Sequence, residues 1–155
     1  MSKLVLVVVI CFLSFDMHAQ NENSINWLAF EELEVALNEN PKPVFIDFYT
    51  DWCVYCKKMD RKVFTNPKVI EVLNENYYAV RFDAESDVEF TFGGKTFTND
   101  QVGKTRNPIH QIAQLLALRD GQFVAPTMVI LDKDFKLLSR YFQYMSSKKI
   151  LQVLK

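Results

Sequence analysis

Pro43-Val44-Phe45-Ile46-Asp47-Phe48-Tyr49-Thr50-Asp51-Trp52-Cys53-Val54-Tyr55-Cys56-Lys57-Lys58-Met59-Asp60 is the stretch on which the reading of this chain turns. Its first half is a short apolar run holding a single acid, Asp47, and reads as a buried strand. Its second half is a Cys-x-x-Cys followed by a helical pattern. Cys53 therefore falls at a helix N-terminus and Cys56 one turn later, where the pair can close a disulfide. Unpaired N–H groups and the positive end of the helix dipole favour a thiolate on the outer cysteine. The thiolate is the species that attacks disulfides, so the stretch reads as a dithiol/disulfide redox site.

The rest of the chain narrows the context. Its 155 residues suit one domain with a full core. An apolar fraction of 49% with 13 phenylalanines fits a compact globular protein. A formal net charge of -1 supplies no basic field for nucleic acid. Residues 1–19 are set apart: Lys3 gives a positive start, Leu4 to Phe15 is almost wholly apolar, and Ala19 is a small residue before Gln20. This is the layout of a secretory signal peptide, with an apolar run too short to span a bilayer. Ile10 before Cys11 is not the small residue a lipid anchor needs. Cleavage after Ala19 removes Lys3, Asp16 and Cys11, leaving the net charge at -1. The expected mature domain, residues 20–155, is periplasmic or secreted and has no stable membrane insertion. It keeps only Cys53 and Cys56, whose loop is too small to staple a fold. With only His110 to add to them, the pair falls short of a zinc site, and no metal or other cofactor is called for.

Hydrophobic periodicity orders the remaining elements. A helix is expected over 26–40, with Asn26 as cap and Phe30, Leu33 and Leu37 inward. The redox strand and the helix from Cys53 to about Val63 follow. Asn66-Pro67 caps another helix, and Tyr77 to Phe82 is a strand. Residues 84–107 interrupt the rhythm as an insert. In it, Val88 to Phe92 and Lys95 to Thr98 flank Gly93-Gly94 as a β-hairpin, whose Phe90, Phe92 and Phe97 read as core packing or a lid. Gly94-Lys95-Thr96 and Gly103-Lys104-Thr105 mimic phosphate-loop endings, but Glu89 and Thr98 stand where the loop glycine belongs, so a nucleotide site is excluded. Asn107-Pro108 is expected to cap a helix stopped at Asp120-Gly121, with His110 on its solvated surface. A strand at Val124 to Leu131 containing Pro126, an antiparallel strand within Phe135 to Tyr144, and a helix capped by Ser146 or Ser147 complete an α/β chain. Its mixed central β-sheet has helices on both faces.

Taken together, Val44 to Tyr49, Trp52-Cys53-Val54-Tyr55-Cys56-Lys57 and Ala125-Pro126-Thr127 resemble the thioredoxin superfamily in residue type and order. Asp51-Trp52-Cys53-Val54 with Cys56-Lys57 and Met59 is most similar to exported members, notably the C-terminal domain of the bacterial transmembrane thiol:disulfide interchange protein. The resemblance spans about residues 26–155, apart from the insert. It implies the thioredoxin fold with a β-hairpin insert before the third main helix. It also implies that Cys53 attacks, Cys56 resolves, and Asp47 lies buried below their redox-active disulfide as a proton acceptor. Pro126 becomes a cis-proline facing that disulfide, and Trp52, Ala125 and Pro126 contact the substrate. Val54-Tyr55 replaces the common Gly-Pro, Tyr49 replaces a common Trp, and the lysine that often accompanies the buried acid is not found. The expected activity is reduction of protein disulfides, with protein thiols and disulfides as partners and a thiol donor or membrane reductase restoring the dithiol. The alternatives are an oxidase or isomerase, which runs the same exchange backwards, and a binding or chaperone-like module that holds a partner on the hairpin.

Overall fold

The computed structural model describes residues 23–154; the expected signal peptide lies outside them. Val44–Tyr49 (β2) is the central strand of a five-stranded sheet. It runs parallel to Tyr78–Asp83 (β3), with Asp47 opposite Arg81, and antiparallel to Thr127–Leu131 (β8), with Phe48 opposite Thr127. Trp27–Leu28 (β1) extends the parallel side next to β3, and Leu137–Tyr141 (β9) extends the antiparallel side next to β8. A strand paired on both edges satisfies all its backbone groups inside the sheet, which is why a nearly continuous apolar run can sit there.

The alternation of β2 sorts the two cores. Phe45 faces Met59 of Val54–Lys62 (α2) and Val63 at its C-cap, together with Val69, Ile70 and Leu73 of Pro67–Asn76 (α3) and Ile150 of Ser147–Val153 (α5). Val44, Ile46 and Phe48 face Phe30 and Leu33 of Phe30–Glu39 (α1), with Ile112 and Ala113 of Gln111–Leu116 (α4). Helices therefore cover both faces, as the sequence pattern implied. Phe90–Phe92 (β4) and Lys95–Phe97 (β5) form the expected hairpin. Gly93 and Gly94 both take positive φ, +60° and +71°, the turn geometry that suits the twist of a two-residue hairpin. Phe90 stacks on Phe30 at 4.7 Å between centroids and on Phe97 at 5.6 Å, so the hairpin aromatics are core.

Three expectations need correction. Asn26 does not cap a helix: its N–H bonds to the Asn74 side chain, and Trp27–Leu28 is taken into the sheet beside β3. The helix begins at Phe30, with the Glu32 carboxylate accepting from the Ala29 N–H at 2.8 Å. The edge of β3 was open to pairing, and ladder bonds outweighed helix periodicity there. Asn107-Pro108 caps nothing either. His110 is the N-cap of α4, and the helix ends at Leu116. Asp120-Gly121 is the turn of a small hairpin between Leu118–Arg119 (β6) and Gln122–Phe123 (β7) instead of a helix stop. His110 is also fully buried and not on a solvated helix surface.

The second half of the α2–α3 unit follows from local chemistry. Asn66 Oδ1 accepts from Lys68 N at 3.1 Å and Val69 N at 3.4 Å, and Pro67 occupies the first turn, where no N–H is missed. Asn66→Ala should lower the unfolding free energy by about 1 kcal/mol, measured by urea titration. A loss within error of zero would mean that tertiary packing alone holds α3.

Candidate active site

The cysteines stand where β2 hands over to α2. Cys53 is the N-cap residue of α2, with extended backbone, and its Sγ accepts from Cys56 N at 3.0 Å. The two are joined as a disulfide with 5.3 Å between Cα atoms. Both are nearly buried, at 4% and 2% exposure, whereas Trp52, Val54 and Tyr55 around them are 60%, 72% and 59% exposed. A small sulfur window is thus ringed by apolar surface. On one side Trp52 Nε1 donates to both Glu85 carboxylate oxygens, at 3.1 and 3.0 Å. On the other, Tyr55 lies 6.2 Å from Tyr144, over which Lys58 Nζ sits at 4.6 Å.

Asp47 is 1% exposed, on the α2-facing side of β2. Arg81 Nε reaches its Oδ2 at 3.3 Å, and Arg81 Nη2 makes the shorter bond, 2.8 Å, to Asp60 of α2. The guanidinium also lies 4.2 Å from the Tyr49 ring centroid. One cation is therefore divided between two acids and a ring, and among the described residues Asp47 Oδ1 has no hydrogen-bond partner. Desolvation wins over this partial pairing: burial raises the Asp47 pKa from 3.8 to about 7, with the Arg81 charge opposing it and the Asp60 charge adding to it. Arg81 is the site residue that sequence reasoning missed. Its signal was a lone cation in the run Tyr78-Ala79-Val80-Arg81-Phe82, which only strand register assigns to Asp47. A cleft of about 240 Å³ lined by Cys56, Asp60 and Arg81, among others, opens this network to solvent. Arg81 thereby links the strand that carries Asp47 to the helix that begins at the cysteines.

Ala125–Pro126 is a cis peptide bond, as the resemblance implied. Pro126 immediately precedes β8, and Thr127 pairs with Phe48, so this loop lies at the same sheet end as the cysteines. His110 is not brought to the disulfide. Its Nδ1 accepts from Ile112 N at 3.2 Å and its Nε2 lies 2.9 Å from Val88 O, which makes it a neutral Nε2–H tautomer. Its ring is stacked on Phe90, and burial pulls its pKa down.

A thioredoxin-like domain family model matches residues 30–155. The chain belongs to this family. Among curated relatives, the thiol:disulfide interchange protein DsbD of Campylobacter jejuni (strain RM1221) is 31% identical over 75 residues, covering 48% of this chain and 13% of that protein. DsbD of Salmonella typhi is 41% identical over 61 residues, covering 37% of the chain and 11% of that protein. The chain thus matches only a small part of these longer relatives. Among solved structures, the DsbH oxidoreductase superposes with a TM-score of 0.56 at 17% identity, over 83% of this chain and 81% of that one. The reduced C-terminal domain of Neisseria meningitidis DsbD gives 0.53 at 20% identity, over 80% and 89%. These likenesses establish the fold. The Cys53–Cys56 disulfide stands at the start of α2 within this thioredoxin-like domain.

The Asp47 shift fixes the sign of a pH effect. Its folded-state pKa, about 7, lies above the unfolded value near 3.8, so the folded protein holds a proton that the unfolded chain has released. The contribution of Asp47 to stability is therefore fully present below about pH 4 and is lost as pH rises towards and through 7. Asp47→Asn should abolish that slope and, at pH 8, exceed the parent in stability by roughly 2–4 kcal/mol. Urea unfolding of the oxidised proteins at pH 5 and pH 8 measures it. A difference that does not grow with pH would mean that Arg81 fully neutralises the carboxylate.

Proposed function

We propose that this protein is an exported dithiol reductant of protein disulfides, with Cys53 as nucleophile, Cys56 as resolving thiol and Asp47 as the proton acceptor for Cys56. The observation that carries the reading is the placement of Cys53 Sγ at the N-cap of α2, accepting the Cys56 N–H. In the dithiol form the same donor and the helix dipole stabilise a thiolate on Cys53. That thiolate attacks a substrate disulfide: one S–S bond forms, one breaks, and a substrate thiolate leaves. Cys56, giving its proton to Asp47, then attacks Cys53 Sγ and releases the second substrate thiol. The chain is left oxidised by two electrons. A thiol donor or membrane reductase must return them, and the likeness to the thiol:disulfide interchange protein DsbD supports a partner of that kind. The exposed ring of Trp52, Val54 and Tyr55, with the Ala125-Pro126 backbone at the same sheet end, suits docking of an extended polypeptide.

The reducing direction rests on charge. Val54 and Tyr55 between the cysteines add none, and Asp51 just outside them opposes a thiolate on Cys53. The helix terminus remains the main stabiliser of the reduced form, so the disulfide is not a strong oxidant. Export, with a mature N-terminus at Gln20, rests on the charge-apolar-small order of residues 1–19.

Two measurements test the reading. Cys56→Ser should accumulate mixed disulfides through Cys53, while Cys53→Ser accumulates almost none; equal trapping would remove the distinction between the cysteines. Equilibration with a glutathione buffer should give a potential of about -230 to -270 mV, and a value more oxidising than about -180 mV would reassign the protein as an oxidase or isomerase.

A further inference from the structure

The insert is tied to the segment before α4 by amide side chains, which do not ionise. Asn99 Nδ2 donates to Ser86 O and Pro108 O at 2.9 and 3.1 Å. Gln101 Oε1 accepts from Ile109 N at 3.0 Å, and Gln111 Oε1 accepts from Thr98 N at 3.1 Å. His110 does the same work with a side chain that does ionise. Its Nε2–H donates to Val88 O at 2.9 Å, and its Nδ1 accepts from Ile112 N at 3.2 Å. Its backbone N–H reaches Ala84 O at 2.8 Å. One fully buried residue thus joins the end of β3, the start of the insert and the first turn of α4.

Both ring bonds require the neutral imidazole. A second proton would turn Nδ1 from an acceptor into a donor facing the Ile112 N–H. It would also set a charge against the rings of Phe82 and Phe90, 4.9 and 5.4 Å away between centroids. No carboxylate stands there to receive it. On β3 and just after it, Arg81 is turned to Asp47 and Asp60, Asp83 accepts from Glu85 N, and Glu85 holds Trp52. Beside Val88, both Asp87 and Glu89 are exposed, and α4 carries no charge. Glu31 of α1 is exposed, Glu32 bonds to Ala29 N and Glu34 to Gly93 N, and Lys95 of β5 lies over Phe97. The pKa of His110 is accordingly lowered by burial and raised only by the Val88 carbonyl.

Acid therefore acts on His110 and on Asp47 in opposite directions. The folded pKa of His110 lies below its unfolded value of 6.5, so its contribution to stability is present above about pH 6.5 and lost as pH falls through the folded value. The contribution of Asp47 grows over the same range. As pH falls, the central strand is held more firmly and the junction between insert and α4 less so.

We propose that His110 is an acid-sensitive latch: its protonation releases the insert from α4 while the five-stranded sheet and the Cys53–Cys56 disulfide stay in place. The imidazole takes its proton from solvent once the junction has opened locally, so each opening binds one proton. The latch is independent of the direction and substrate of thiol exchange.

Hydrogen exchange of the oxidised protein from about pH 7.5 to about pH 4.5, read by NMR and corrected for the intrinsic pH dependence of exchange, tests the latch. Protection of the Ile112 amide should fall by up to ten-fold per pH unit below about 6.5 and level off where the folded imidazole itself titrates. Protection of Ile46, within the ladder of β2, should not fall. His110→Asn keeps a capping side chain that cannot ionise, and should remove the pH dependence at Ile112. A flat Ile112 profile in the parent, an equal loss at Ile46, or a slope that survives His110→Asn overturns the latch. Should that variant not fold, the imidazole nitrogens of the parent decide. Those of His110, told from His18 by a His18→Gln variant, should titrate with a midpoint below about 6.5. A midpoint at or above that value overturns the proposal.

Discussion

A carboxyl group in the middle of the central strand is the constraint around which this molecule is arranged. Transferring an ionised carboxylate out of water costs several kcal/mol even after relaxation. Asp47 therefore needs either a full partner or a proton. The fold supplies neither completely. Arg81 lies opposite it in the ladder but gives its shorter bond to Asp60 and stacks on Tyr49. The desolvation cost is met in part by a shared cation and in part by protonation. That compromise leaves the carboxyl poised close to neutral pH, where proton transfer in either direction is inexpensive.

The same network ties three elements at the point where they must not drift. Arg81 on β3 joins β2 through Asp47 and α2 through Asp60, one turn after Cys56. The helix that carries the cysteines is thereby anchored to the two strands beneath it. Further along the same interface, Met59 and Val63 pack with Phe45. Apolar burial supplies the cohesion here, and the polar bridge supplies register, because a guanidinium has few geometries that satisfy two carboxylates at once.

The aromatic residues of the insert pack as core, one of the two roles their content implied. Phe90 and Phe97 turn inward onto Phe30 and Phe82, extending the core beneath α1. What remains outside is the polar margin of the insert, which stands beside Trp52. The hairpin thus acts as a buttress, and the exposed segment between it and α4 brings Arg106 beside Trp52. His110 belongs to this support. Buried and neutral, it caps α4 and holds Val88, so both ring nitrogens are engaged in the support of the insert.

Local signals in the sequence determined the redox pair, its position at a helix start, the buried acid, the Asn66-Pro67 cap and the two-glycine turn. Each depends on residues a few positions apart, where spacing and backbone preference decide the outcome. The sheet pattern was legible for the same reason, since an apolar run like β2 has few places to go. Pairing between distant strands was not legible in this way. Trp27–Leu28 joined the sheet because β3 offered an open edge, and no nearby residue records that. Arg81 met Asp47 because the parallel register of β2 and β3 sets them side by side, a fact of alignment between strands 34 residues apart in that pair. His110 and Arg106 owed their places to how the insert folds back, one into the core and one beside Trp52. Tertiary structure decided these contacts because their energies arise only when chain segments far apart in sequence exclude water together.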